Sequence, residues 1–381
     1  MASSQKRPIE TSIHAPGTMR IFVTLWEVTI IAGYKIIQYR YWPIVFLLTS
    51  LPTHAFAESE ENPPLRLQTF GVMYVGSELV QRENYCDPSP LPCSDKGTQV
   101  VNQARVEYFI PEELTTSYPL VLMHGLGLTA DMYLSLPGGG EGWAQFFARR
   151  GHPVYTITLP SVIASGLDVE SYNATAKGKA EPNRQSTLYS WAPEVFWRSF
   201  GYGDNYPALY EGVQFQIENL ADLLAGSSPY IFANLAESQQ TDLAALLSLL
   251  RQIGPAVLVT HSLSGGVGFD ALQSAPDRIA GIIALEPADG CPVEFGQNYG
   301  QRYDGKFLLS VWGDHSPGRR NAEQRIGSCA AVVSKIREAS GKADQMLLPE
   351  LGIHGNTHMI PVDANSEEVA MLIYRWLNKS D

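Results

Sequence analysis

The sequence contains no basic stripe and no cluster of lysines and arginines. Its 381 residues carry 27 Lys and Arg against 39 Asp and Glu, a formal charge of -12. That balance excludes nucleic acid as a partner and gives no attraction to anionic lipid. No C-x-x-C spacing occurs among the four cysteines, Cys86, Cys93, Cys291 and Cys329, which argues against zinc. No Lys-Ser/Thr follows the glycine run Gly138-Gly139-Gly140, so that run is not a phosphate-binding P-loop. Nor does any stretch reach the roughly 20 clean apolar residues of a membrane span. No metal or cofactor is implied.

What the chain does have begins with a leader. Pro43 to Ala57, PIVFLLTSLPTHAFA, follows Lys35 and Arg40 and ends in the small-x-small pattern Ala55-Phe56-Ala57. This predicts a signal peptide over residues 1–57, cleaved after Ala57, and therefore export to the periplasm or medium. A retained anchor is the competing reading, and only then would a membrane be a partner. Met19 is a second possible start, and cleavage would make the acidic chain more acidic. Export also suits an even cysteine count, with disulfides Cys86–Cys93 across a Pro-rich loop and Cys291–Cys329 between a strand-end loop and a later helix.

Residues 58–69 read as a linker. Strand formers at Gly71 to Val75 and Val106 to Ile110 suit antiparallel strands at a sheet edge. Strands then alternate with helices: Pro119 to Met123, Ala144 to Arg150, Pro153 to Leu159, Asp242 to Arg251, Phe269 to Ala275, Ile279 to Leu285, Lys306 to Trp312, Asn321 to Gly341, Gln345 to Leu348 and Ser366 to Leu377. The pattern predicts an α/β fold with a mostly parallel, doubly wound sheet. Its core is divided into residues 70–160 and 255–381 by an insertion, 161–254. That insertion is rich in aromatics, among them Tyr189, Trp191, Phe196, Trp197, Phe200 and Tyr202. It reads as a cap over a site, with the plainer alternative that its aromatics fill the cap's own core.

The chemistry concentrates at PAVLVTHSLSGGVG, Pro255 to Gly268. A buried strand, a tight turn and a helix would hold Ser262 clear of the sheet, with the next amide and the positive helix end beside it. Ser264 is the alternative nucleophile, since Gly266 stands two residues after it. Two later strands end in acids, Glu286-Pro287 and Gly313-Asp314-His315; Glu286 is preferred and Asp314 is the alternative. The last strand runs into Gly352-Ile353-His354-Gly355-Asn356-Thr357-His358-Met359, where His358, immediately before the final elements, is preferred to His354 as a base. A metal held by the two histidines lacks a third ligand at useful spacing.

These four motifs, with the strand-to-His124-Gly125 turn, resemble those of the α/β-hydrolase superfamily, over about Gly71 to Asn378. Within it they are similar to a small group of secreted bacterial esterases with a Ser-Glu-His triad. The resemblance implies an α/β-hydrolase fold with antiparallel N-terminal strands and a cap. It further implies catalysis by Ser262, Glu286 and His358, with an oxyanion hole of the Leu126 and Leu263 amides. The expected activity is that of a serine carboxylic ester hydrolase on a small to medium, apolar or aromatic ester, without a cofactor. An amidase or lactonase with the same triad, and a non-catalytic binding protein of this fold, are the alternatives. One departure from that group is the HG turn, which carries Leu126-Gly127 where the group has adjacent cysteines.

Overall fold

The computed structural model of the chain describes residues 64–84, 95–182, 185–232, 235–293, 303–315 and 321–379. The expected leader and the Cys86–Cys93 pair lie outside them. In chain order the strands are β1 (Leu67–Val75), β2 (Glu78–Arg82), β3 (Gly97–Val101), β4 (Ala104–Pro111), β5 (Leu120–Met123), β6 (Val154–Thr158), β7 (Thr187–Tyr189), β8 (Tyr230–Phe232), β9 (Ala256–His261), β10 (Ile279–Leu285), β11 (Phe307–Trp312) and β12 (Lys342–Leu347). Eight of them form one sheet in the order β1-β4-β6-β5-β9-β10-β11-β12. β4 is antiparallel to both of its neighbours, and every other pairing in that sheet is parallel. The carboxyl ends of β5, β9, β10, β11 and β12 therefore open on one side.

The central strands explain themselves. LVLM, AVLVTH and IAGIIAL are buried at every position, as continuous apolar runs must be when helices cover both faces of a parallel sheet. On one face lie Trp143–Arg149 and Ser366–Asn378, contributing Phe147, Val369 and Ile373 to one core; on the other lie Leu235–Ile253, Ser264–Ser274 and Ala322–Glu338, contributing Leu246, Val267 and Val332 to a second. The mostly parallel, doubly wound sheet expected from the alternation is the one observed.

The differences in detail have local causes. The helix expected from Phe269 begins at Ser264, directly after the turn. Two glycines let it lie that close: a Cβ on Gly265 would stand 2.7 Å from Pro287, and one on Gly268 would stand 2.6 Å from Thr260. The helix expected over Asp242 to Arg251 extends from Leu235 to Ile253, its polar opening turns carrying Glu237, Gln239 and Gln240. The pairs β2–β3 and β7–β8 were not expected, being short and largely exposed. Cys291 and Cys329 are joined across 38 residues, tying the loop beyond β10 to the helix Ala322–Glu338.

Candidate active site

β9 is buried to its last residue and stops at Ser262, whose φ of +53° is left-handed. A side chain there costs about 1 kcal/mol or more, and the turn is held by its peptide groups. The Ser262 N–H donates to Leu285 O at 3.0 Å, while its carbonyl accepts from Gly265 N at 3.1 Å and Ala288 N at 2.9 Å. Facing it, Gly125 must be glycine, since a Cβ would stand 2.9 Å from both Ser262 Cβ and His261 Nδ1. Ser264 is placed otherwise. Its hydroxyl accepts from His261 N at 3.0 Å and lies 3.1 Å from the Met123 carbonyl, as an internal fastener between β9 and β5.

Glu286, the first residue beyond β10, is wholly buried and has a φ of +43°. Its Oε1 accepts from Gly313 N at 2.8 Å, and its Oε2 lies 2.6 Å from His358 Nδ1. A carboxylate only accepts, so the imidazole carries its proton on Nδ1 and leaves Nε2, itself buried, as the acceptor nitrogen. The structure thus brings Glu286 and His358 together and leaves Asp314 apart: Asp314 Oδ2 accepts from Gly355 N at 2.6 Å and sits 3.6 Å from the exposed His354. The physical reason is strand order. Asp314 lies one strand further from Ser262 than Glu286 does, and it fastens the start of the histidine loop.

Several residues that carried no sequence signal hold His358. Its N–H donates to Phe200 O in the cap at 2.8 Å, and its carbonyl accepts from His261 Nε2 at 2.8 Å. Asp363, fully buried, receives Thr357 N at 2.8 Å, Thr357 Oγ1 at 2.7 Å and Asn356 Nδ2 at 3.2 Å. Burial pushes its carboxyl up to about 7, against those three donors. His261 does have a sequence cue, its place beside Ser262. Asp363 has none, because its partners are set by the loop's shape.

Leu126 and Leu263 lie on the two loops that meet at Ser262. Among the described residues no protein acceptor engages either amide. The Leu126 carbonyl accepts from Trp191 Nε1 at 2.7 Å, and the Gly127 carbonyl from Ser228 N at 3.0 Å, so the cap is fastened to this loop. Trp191 packs edge-on to Phe200, whose ring lies 5.1 Å from that of His358. Phe196, Trp197 and Tyr202 are buried and stacked on one another, in the same core as Phe147 and Val369.

A cavity of about 420 Å³ lies beside these loops, lined by Leu128, Met132, Leu136, Leu223, Met359 and Val362. A second cavity, about 770 Å³, lies at the amino ends of the strands, against His152, Val257 and Phe307, and Ser262 does not line it.

No model of a known protein family matches the chain. The chain is 24% identical over 338 residues to the "Probable secreted lipase phiG" of Fungal sp. (strain ATCC 74256), the match covering 72% of this chain and 85% of that one. It is similar to a solved bacterial esterase at 31% sequence identity and a TM-score of 0.75, over 83% of this chain and 97% of that one.

Proposed function

Since the chain belongs to the α/β-hydrolase family and has esterase and lipase relatives, we propose that it is a secreted serine carboxylic ester hydrolase working through an acyl-enzyme on Ser262. The observation that carries this reading is the buried Glu286–His358 pair at 2.6 Å, beside a serine held on a left-handed strand-to-helix turn. In this mechanism His358 Nε2 takes the Ser262 proton as Oγ attacks the ester carbonyl. Glu286 keeps the imidazole in the required tautomer and stabilises the imidazolium. The amides of Leu126 and Leu263 receive the oxyanion, each worth roughly 3 to 4 kcal/mol. The alcohol leaves with the proton from His358, and water repeats the sequence on the acyl-enzyme.

The cavity beside Met359 and Leu128, mostly apolar but with Asp131 and Asp222 in its wall, has room for a small to medium acyl or alcohol group. Secretion is supported by the leader pattern and by the secreted relative. Among the described residues, no helix is long and apolar enough to cross a membrane. The test is turnover of p-nitrophenyl acetate, butyrate and octanoate by the full chain beside Ser262→Ala. Turnover that the substitution abolishes is the expected result; equal rates for the two proteins refute the reading.

A further inference from the structure

The two edges of the main sheet are built differently. β12 carries Lys342 and Asp344, charges of the kind that keep an open edge from pairing with another chain. β1, at the opposite edge, reads LQTFGVMYV and has neither a charge nor a proline. Its register against β4 is irregular only between Leu67 and Thr69, so Thr69 to Val75 run unbroken. Among the described residues no backbone group bonds to its outer edge.

Successive side chains of a strand turn to opposite faces. Met73 and Val75 turn into the core that Leu235–Ile253 covers. On the other face Phe70, Val72 and Tyr74 are 72%, 46% and 60% exposed. A row of large apolar side chains on an open, uncharged edge marks an interaction surface.

A second copy of the chain is the partner that this strand fits. The symmetric way for two identical edges to pair is antiparallel, about a two-fold axis normal to the sheet. With that axis at Val72, Phe70 lies opposite the partner's Tyr74, Tyr74 opposite the partner's Phe70, and Val72 opposite its own image, all on one face. Aromatic cross-strand pairs stabilise antiparallel strands, and in β1 there is no like charge to set against them. We propose that the protein forms a two-fold dimer by pairing β1 with β1 of a second copy about an axis at Val72, joining the two eight-stranded sheets into one.

The strands of the two subunits then run in opposite directions, so the two Ser262 turns face opposite ends of the joined sheet. β4, β6 and β5 stand between each turn and the seam, and the pairing is independent of any ester chemistry. Four rings of about 150 Å² each, with the strand edges between them, bury on the order of 1,000 Å², the lower bound for a specific interface. A dissociation constant of about 1 to 100 µM is expected.

The test is sedimentation velocity of the full chain from about 1 to 200 µM. Dimer should replace monomer as concentration rises, and amide exchange in Thr69 to Val75 should slow in step. Val72→Lys sets two ammonium groups face to face at the axis and should weaken association about tenfold or more, with the melting curve of the dilute protein unchanged. Phe70→Lys should weaken it likewise. Adding Tyr74→Glu to Phe70→Lys should restore association, because each introduced lysine then faces an introduced glutamate across the seam; within one strand the two stand about 13 Å apart and do not pair.

A chain that stays monomeric at about 200 µM overturns the proposal, and so does a dimer that neither Val72→Lys nor Phe70→Lys weakens, since its seam lies elsewhere. Exchange in Thr69 to Val75 that is slow at every concentration gives the edge to another segment of this chain and overturns it as well. A double variant that associates no better than Phe70→Lys alone refutes the axis at Val72.

Discussion

Replacing Glu286 by Gln tests the acid with little change of shape, and the structure dictates how the amide must sit. Glu286 Oε1 accepts the Gly313 N–H at 2.8 Å, and this donor is part of the backbone and cannot turn away. The Gln carbonyl oxygen must therefore take the Oε1 place, because an NH2 there would face another N–H. Its NH2 group is then directed at His358 Nδ1, where Oε2 had stood at 2.6 Å. Facing a donor, Nδ1 becomes an acceptor and the ring proton moves to Nε2. In the proposed mechanism that is the atom that takes the serine proton. The variant is thus locked in the wrong tautomer, and the carboxylate charge that stabilised the imidazolium is gone as well. The same exchange in the Ser-His-Asp template lowers kcat by about 10⁴, or about 5 kcal/mol of barrier. We expect a loss of 10³- to 10⁴-fold in kcat for p-nitrophenyl butyrate, with KM little changed, and an unshifted melting curve at neutral pH. Asp314→Asn, measured beside it, should stay within a few fold. Residual activity above a tenth in Glu286→Gln, or an equal loss in Asp314→Asn, would refute the assignment.

Ser262→Ala should abolish turnover and phosphonate labelling, whereas Ser264→Ala should keep activity within about tenfold while losing roughly 1 to 3 kcal/mol in urea melts, since its hydroxyl serves buried backbone groups. His152 is buried, neither ring nitrogen has a partner among the described residues, and burial pushes its pKa from 6.5 down to about 4. The unfolded chain therefore protonates first, and stability is lost as pH falls from about 6.5 to 4. His152→Phe should on that account be more favourable by about 2 kcal/mol at pH 5 than at pH 7.5, and equal effects at the two pH values would contradict the linkage. Replacing Cys291 and Cys329 by Ser reopens a loop of 38 residues and should cost about 4 kcal/mol of stability on the chain-entropy estimate. Because that bridge steadies the loop following Glu286, kcat should fall too, as parallel melts and esterase rates would show.

The sheet was legible because its strands are buried on both faces, so that composition alone marks them: Ile279 to Leu285 was delimited to the residue. Polarity blurred the ends of other elements, as at the edge strand β12, where Lys342 and Asp344 are half-buried and only Ala343 and Met346 are covered. The residues at the strand ends could be read as a constellation because each follows an apolar run directly. Their choice between neighbours could not be so read. Ser264 and Ser262 differ only in where the turn points them, and Glu286 and Asp314 only in which strand lies beside β9. The supporting shell was illegible for a different reason. Phe200 acts through its carbonyl on the amide of His358, far away in sequence, and Asp363 gathers Asn356 and Thr357 only because the loop between them folds back; spacing along the chain carries no trace of either.

Ser262, Glu286 and Gly313 are the first residues beyond three successive strands, β9, β10 and β11, and Glu286 N bonds Val311 O as Ser262 N bonds Leu285 O. Their separations are thus set by the pitch between neighbouring strands, about 4.8 Å, a length no loop can alter. The strand-end residues and the segment that lies over them are in consequence independent parts of the chain. The insertion between β6 and β9 can be lengthened, shortened or exchanged in descent while Ser262, Glu286 and Gly313 keep their distances, provided the new segment still offers one donor to the Leu126 carbonyl and one acceptor to the His358 amide.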